Sequence, residues 1–135
     1  RKTFEEKGNC VVNQFSGYKV GGDVFMNGKL TLGENIADLG GLTMAYAAFQ
    51  KSMQGKPSQK GSDGFTPEQR FFLGWAQAWA EKSSPEAESW QAQNDPHAIS
   101  RFRVNGPFGN MPEFRQAFGC KEKDKMVRTD ICRIW

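Results

Sequence analysis

The spacing of apolar residues near the start of the chain predicts a helix followed by a hairpin. Apolar side chains within residues 4–18 can share one broad helical face, and a Ser-Gly pair near the end of this stretch favours a helix stop. Residues 24–26 and 29–31 flank Asn27 and Gly28, a pair favoured in two-residue type I′ turns. The sequence therefore predicts a short β-hairpin that turns at Asn27 and Gly28.

Two capping boxes predict the starts of two longer helices. Thr31 and Glu34 have the first such spacing, and their helix is predicted to end near Gly55. Residues 51–65 are polar and rich in Gly, Ser and Lys, which indicates an exposed loop. Residues 66–69 form the second box, with proline at the first helical position. The helix that they open carries an aromatic stripe, whose ordinary role is packing in the core: Phe72, Trp75, Ala76 and Trp79.

The last part of the chain predicts shorter elements. Residues 84–92 are predicted to form a short helix that is broken by the Asp-Pro pair after it. Residues 101–104 are predicted to form a brief strand before a turn at residues 105–107. Residues 110–113 are predicted to cap a final helix that ends near Gly119. The predicted fold class is mainly α with a short β-hairpin.

Composition narrows the classes of function. Charged residues make up 24% of the chain and the formal net charge is +3, a near balance that argues against a dedicated nucleic-acid surface. The longest apolar runs are too short to span a bilayer, so no transmembrane segment is predicted within the chain. The 11 phenylalanines and 4 tryptophans supply ample material for a core.

The cysteines indicate disulfide chemistry and a longer parent protein. Cys10, Cys120 and Cys132 lack the C-x-x-C spacing of a metal site, which leaves disulfides or buried thiols. With an odd number, at least one cysteine stays free or pairs outside the chain. Because the chain also starts at Arg1 without an initiator Met or a signal peptide, we expect a segment of a longer protein. Cysteines used in this way point to an extracellular or periplasmic location.

Two carboxylates at the start of the long helix are the first candidates for chemistry. Glu34 and Asp38 are four residues apart, so on a helix they project from one face. One of them can bind a metal while the other orients a second ligand. The alternative is that Glu34 only closes the capping box and that Asp38 is an exposed surface residue.

The second candidate group surrounds the only histidine, His97. Asp95 lies two residues before it, where a carboxylate can fix the imidazole tautomer and favour the imidazolium, a donor to developing negative charge. Arg103 follows six residues later and can present a planar fork to a carbonyl or carboxylate. The alternatives are an ordinary loop histidine and a surface salt bridge.

Four stretches resemble, in order, the neprilysin and endothelin-converting-enzyme family. The first is NGKLTLGENIADLGG at residues 27–41, and the second is FFLGWAQAW at residues 71–79. The third runs from DPH at residues 95–97 to RVNG at residues 103–106, and the last is CRIW at the chain end. One such motif alone would be weak, but four in register over nearly the whole chain are specific.

The resemblance implies the C-terminal portion of a thermolysin-like zinc metallopeptidase catalytic domain, spanning residues 1–135. It implies that Glu34 is the third zinc ligand and that Asp38 holds a zinc-bound histidine. It further implies that His97, oriented by Asp95, steadies the oxyanion of the tetrahedral intermediate, while Arg103 grips the peptide backbone of the substrate. Zn²⁺ is the implied cofactor and peptides are the implied substrates.

The resemblance also implies a specificity and an incompleteness. Ala78 and Trp79 fall where the family lines the S1′ pocket, which implies cleavage on the amino side of hydrophobic residues. Many family members carry a bulkier aliphatic residue at the position of Ala78, so this pocket is expected to be roomier. The H-E-x-x-H helix cannot lie in a chain with one histidine, so the chain alone is expected to be inactive and to need the N-terminal part of the same enzyme. The alternative is a non-catalytic pseudo-peptidase or helical interaction module.

The same resemblance implies the cysteine pairing. In the family, the cysteine of the final Cys-Arg-apolar-Trp pattern pairs with one at the position of Cys10, so a Cys10–Cys132 disulfide is expected. The partner of the Cys120 position lies in the N-terminal part, and Cys120 is therefore expected to be free in this chain.

Overall fold

The computed structural model describes residues 2–135 and confirms the predicted fold class, mainly α with a short hairpin. None of the helices in this range combines the length and apolar content that crossing a bilayer requires. In chain order, the elements are α1 Lys2–Ser16, β1 Lys19–Gly21, β2 Val24–Phe25, α2 Leu32–Ser52, α3 Pro67–Ala78, α4 Pro85–Asn94, α5 Ser100–Gly109 and α6 Pro112–Phe118.

The hairpin lies one strand earlier than predicted. β1 and β2 pair antiparallel around a turn in which Gly22 has a φ of +52°, whereas residues 29–31 form a turn that leads into α2. A Cβ atom at Gly28 would lie 2.3 Å from the carbonyl oxygen of Val12 on α1. Gly28 is therefore required by a close tertiary approach, and the prediction of a type I′ turn at Asn27 and Gly28 was wrong for this reason.

The start of α2 also differs from the prediction. Thr31 is the N-cap residue, but its hydroxyl donates to the carbonyl of Asn27 at 3.1 Å and accepts from Nδ2 of Asn35 at 2.9 Å. The N-cap side chain therefore makes no capping hydrogen bond, and no capping box forms with Glu34. As a result, the Glu34 carboxylate is not held at its own helix end.

The N-terminal caps of α3 and α4 are formed by side chains close to them in the sequence. At α3, the Thr66 hydroxyl accepts from the backbone N–H of Gln69 at 3.2 Å, and the Gln69 side chain accepts from the Thr66 N–H at 3.0 Å, as predicted. At α4, the Ser84 hydroxyl accepts from the N–H of Ala87 at 3.2 Å. These contacts involve residues three apart, so the sequence determines them without tertiary help.

The fifth helix contradicts the prediction of a strand and a turn. α5 covers both residues 101–104 and residues 105–107, and Pro107 lies inside it. A Cβ atom at Gly106 would lie 2.6 Å from the ring of Phe15, and the Gly106 carbonyl accepts from Nε2 of Gln14 at 2.9 Å. Packing against α1 therefore stabilises a helix where local propensity favours a turn.

The end of the chain folds back onto α1. The predicted Cys10–Cys132 disulfide is present, and Cys120 is not disulfide-bonded within residues 2–135. Asn110 does not cap α6 as predicted, because its side-chain oxygen accepts from the backbone N–H of Cys132 at 2.9 Å. The predicted end of α6 at Gly119 is confirmed, with a φ of +63°.

Two hydrophobic clusters fix the helices that carry the candidate residues. The first cluster includes Phe15, Leu39 and Phe102, and the second is an aromatic group around Phe72 that includes Leu42 and several rings. α2 and α5 contribute buried residues to both clusters. The polar residues on these two helices therefore have a rigid frame.

Candidate active site

Glu34 and Asp38 project together from the first two turns of α2, as their spacing predicts. Their surroundings differ, since 41% of the Glu34 side chain is exposed and only 6% of the Asp38 side chain is. The alternative of an exposed Asp38 is therefore wrong. A carboxylate buried to this extent requires a charged or hydrogen-bonded partner.

Arg103 on α5 is the partner of Asp38. Its Nε donates to one carboxylate oxygen and its Nη2 to the other, each at 2.7 Å. The Arg103 side chain is 12% exposed, so this is not the surface salt bridge considered above. The hydrogen bonds that Arg103 donates to Asp38 raise the pKa of Arg103 above its ordinary value despite burial, which keeps the guanidinium charged.

His97 approaches the same point from the loop between α4 and α5. Its Nδ1 lies 2.8 Å from Oδ1 of Asp95, and the same oxygen accepts from the His97 backbone N–H at 2.7 Å. This backbone hydrogen bond, followed by the one to the ring, lowers the pKa of Asp95. An ionised Asp95 accepts from Nδ1, which leaves Nε2 facing Oε2 of Glu34 at 3.4 Å.

These contacts bring three separate stretches of the sequence to one point. Oε2 of Glu34 lies 3.4 Å from Nε2 of His97 and 3.5 Å from Nη2 of Arg103, so one carboxylate oxygen faces both the imidazole and the guanidinium. The structure thus places Glu34, Asp38, Asp95, His97 and Arg103 in one continuous cluster. Their proximity supports treating them as one site.

Trp79 joins this cluster at the end of α3, whereas Ala78 lies on the exposed side of the helix. The Trp79 ring stacks against the guanidinium of Arg103, with 3.9 Å between Cζ and the ring centroid. Trp79 therefore departs from the core-packing role of its stripe, while Phe72 is fully buried as that role requires.

Trp75 is the residue of this cluster that sequence reasoning missed. Pro107 has no backbone N–H, so the carbonyl of Arg103, four residues earlier, lacks its helical donor. The indole N–H of Trp75 donates to this carbonyl at 3.0 Å. Pro107 was the available signal, but it is informative only once residues 100–109 are known to be helical.

Glu34 is the side chain of the cluster that fits a zinc ligand. Carboxylate oxygens are common zinc ligands, and Oε2 of Glu34 is separated from the nitrogens of His97 and Arg103 by more than an ordinary hydrogen-bond length. Asp38, by contrast, is bound at both oxygens by Arg103. Within residues 2–135 no three His, Cys, Asp or Glu side chains are placed to hold a metal together. A zinc ion bound by Glu34 would therefore take its other ligands from outside these residues.

Comparison with known proteins decides the family. The sequence profile of Peptidase family M13 matches residues 1–134. This chain belongs to peptidase family M13. Neprilysin-3 of Drosophila melanogaster is 42% identical over 139 residues, which cover 98% of this chain and 17% of that protein. The endothelin-converting enzyme homologue of Locusta migratoria is 43% identical over 136 residues, covering 99% of this chain and 19% of that protein.

The M13 fold is confirmed by solved structures. A crystal structure of a zinc metalloprotease of Mycobacterium tuberculosis, in complex with an inhibitor, has a TM-score of 0.90 at 38% identity. It covers 100% of this chain, which corresponds to 22% of that protein. The resemblance to neprilysins and endothelin-converting enzymes is thus confirmed, and the chain spans about a fifth of the length of these M13 relatives.

Proposed function

We propose that this chain is the C-terminal segment of the catalytic domain of a zinc endopeptidase that cleaves peptides on the amino side of hydrophobic residues. One observation carries the proposal: Glu34, the His97–Asp95 pair and the Asp38–Arg103 pair converge although they come from α2, a loop and α5. Family membership supports peptidase chemistry. The Cys10–Cys132 disulfide supports an extracellular or periplasmic location.

Glu34 is the zinc ligand in this proposal, and Asp38 is the residue that orients another ligand. Zinc, when bound, polarises the scissile carbonyl and activates a water molecule for attack. A carboxylate has about four acceptor sites, and Arg103 occupies two of those on Asp38. Asp38 therefore retains the capacity to accept a hydrogen bond from an imidazole N–H of the N-terminal part of the enzyme.

His97 acts on the negative charge that develops on the substrate. A protonated ring held by Asp95 at Nδ1 presents the Nε2 proton to the site. The oxyanion of the tetrahedral intermediate carries more charge than the carbonyl of the substrate, so this hydrogen bond strengthens as the reaction proceeds. Because Asp95 and the backbone already fix the ring, little reorganisation is needed at that moment.

Arg103 binds the backbone of the substrate. Asp38 takes Nε and Nη2, which leaves Nη1 as the guanidinium nitrogen without a carboxylate partner among residues 2–135. Nη1 is therefore the atom that donates to a substrate carbonyl. In this proposal, Trp79 and the exposed Ala78 face the pocket for the hydrophobic side chain that follows the scissile bond, and the small side chain of Ala78 makes this pocket roomier.

Replacing His97 with alanine in the complete enzyme tests the assignment of the oxyanion donor. We expect kcat to fall by about 10²–10³-fold with little change in KM, because the lost interaction is made mainly in the transition state. Asp95→Asn should give a milder loss of the same type, since the ring is misoriented rather than removed. Steady-state kinetics with parallel zinc analysis provide the measurement. Near-normal turnover by His97→Ala would return this histidine to the role of an ordinary loop residue.

Replacing Arg103 with alanine should instead raise KM. The guanidinium donates to the substrate in both the ground state and the transition state, and hydrogen bonds of charged groups of this kind are worth roughly 10- to 150-fold in affinity. Arg101→Ala is the matched control, because Arg101 lies on the same helix but pairs with Glu88 at the surface. The two variants should be compared for KM, zinc content and circular dichroism. Equal KM values would contradict the proposed role of Arg103.

A further inference from the structure

We propose that Trp79 is a positioning residue, which holds the Arg103 guanidinium by a cation–π contact so that Nη1 faces the substrate. The proposal rests on the function proposed above and goes beyond the pocket-lining role given there to Trp79. Its basis is the distance of 3.9 Å between Cζ of Arg103 and the centroid of the Trp79 ring. Attraction between a cation and an aromatic face operates within about 6 Å.

The ring of Trp79 restrains a motion of the Arg103 guanidinium that its hydrogen bonds to Asp38 still allow. Two parallel hydrogen bonds fix one edge of the guanidinium, but they still permit it to pivot about the line through the two carboxylate oxygens. Such a pivot would move Nη1 out of position. The guanidinium carbon lies over the ring of Trp79, so the attraction between them opposes this motion.

The ring of Trp79, rather than its N–H group, makes the contact with Arg103. Nε1 of Trp79 is buried and has no hydrogen-bond partner within residues 2–135. An unpaired buried N–H is unfavourable, and tryptophans in protein interiors usually have a partner. Within residues 2–135, the ring of Trp79 instead contacts the guanidinium of Arg103 and the edge of Trp75.

Three neighbouring contacts connect the end of α3, which carries Trp79, to α5, which carries Arg103. Trp75, one helical turn before Trp79, packs its ring edgewise on Trp79 with 5.7 Å between centroids and donates to the Arg103 carbonyl. After α3, Glu81 accepts a hydrogen bond from the hydroxyl of Ser100 at the start of α5. The end of α3 is therefore tied to α5 on both sides of Trp79.

A series of fluorinated tryptophans at position 79 of the complete enzyme tests the proposal. Fluorine withdraws electron density from the ring face while changing its size little, so it weakens the cation–π contact without opening a cavity. We expect KM to rise steadily with the number of fluorines, by about 2- to 30-fold in total, while kcat changes little. The same series at Trp90, a residue that is 63% exposed on α4, is the control and should leave KM unchanged.

The Arg103→Ala background separates the possible outcomes. If the ring acts through Arg103, fluorination should have no further effect on KM in that background. A KM that is constant across the series, or an effect that persists without Arg103, would overturn the proposal. If Trp79→Leu changes only the preference for the residue after the scissile bond, Trp79 lines the pocket without positioning Arg103, and the proposal is overturned. If Arg103→Ala itself leaves KM unchanged, the failure lies in the function proposed for Arg103.

A measurement independent of activity examines the contact itself. The ¹⁹F resonance of fluorinated Trp79 should shift in Arg103→Ala and stay unchanged in Arg101→Ala, because Arg101 stacks on Phe102 instead. An unchanged resonance in both variants would overturn the proposal whatever the kinetics show.

Discussion

Replacing Glu34 with alanine in the complete enzyme is expected to remove zinc and, with it, activity. Loss of an outer-shell partner of a metal ligand costs about 10–100-fold in metal affinity, and loss of a ligand itself should cost more. The Lewis-acid contribution of zinc is worth several kcal/mol, so kcat/KM should fall by roughly 10³-fold or more. Zinc content after dialysis and kcat/KM are the two measurements. Glu34→Gln should behave in the same way, because it keeps the size of the side chain but removes the carboxylate.

Two comparisons make this expectation specific to Glu34. Glu122→Ala removes an exposed glutamate in the last loop and should retain zinc and activity. The separate 135-residue chain should bind zinc weakly, since catalytic zinc sites use three protein ligands and Glu34 is the one proposed here. Stoichiometric, tight zinc binding by the separate chain in calorimetry, or full zinc content in Glu34→Ala, would contradict the assignment.

Removing the Cys10–Cys132 disulfide should lower the free energy of unfolding of the 135-residue chain by about 4–5 kcal/mol. The two cysteines are 122 residues apart, and the chain-entropy model gives a loss of this size when a loop of such length is opened in the unfolded state. Urea denaturation of the Cys10→Ala/Cys132→Ala double variant, followed by circular dichroism, provides the measurement. Because Cys132 is buried, removing its sulfur atom also loses packing contacts, which lowers the free energy of unfolding slightly further.

Two controls separate the cross-link from the side chains. Reduction of the unsubstituted chain opens the disulfide without deleting an atom of the core and should give most of the same loss. Cys120→Ala removes a partly buried cysteine that is not disulfide-bonded within residues 2–135, and its effect should stay within about 1 kcal/mol. A loss below about 1 kcal/mol in both the double variant and the reduced chain would show that the cross-link contributes little.

The candidate site was accessible from the sequence chiefly through family resemblance. Spacing alone placed Glu34 and Asp38 on one face of a helix but left open whether either has a function. Nothing in the sequence states that His97, 63 positions beyond Glu34, lies 3.4 Å from it. Likewise, the bidentate Asp38–Arg103 pair joins α2 to α5 across 65 residues. Contacts of this kind depend on how the helices pack, and local periodicity carries no information about that.

By itself, the sequence determined the features whose partners are neighbours along the chain. The capping box of Thr66 and Gln69, the serine cap of α4 and the left-handed end of α6 at Gly119 each require only residues within one turn. Features whose partners are distant along the chain were decided only by the tertiary structure. Gly28 serves contact with α1 rather than a hairpin turn, and residues 105–107 stay helical because Gly106 fits against Phe15. In both cases packing on α1 outweighs a local turn preference, since the conformational preference of a single residue is small compared with the burial of a large apolar side chain.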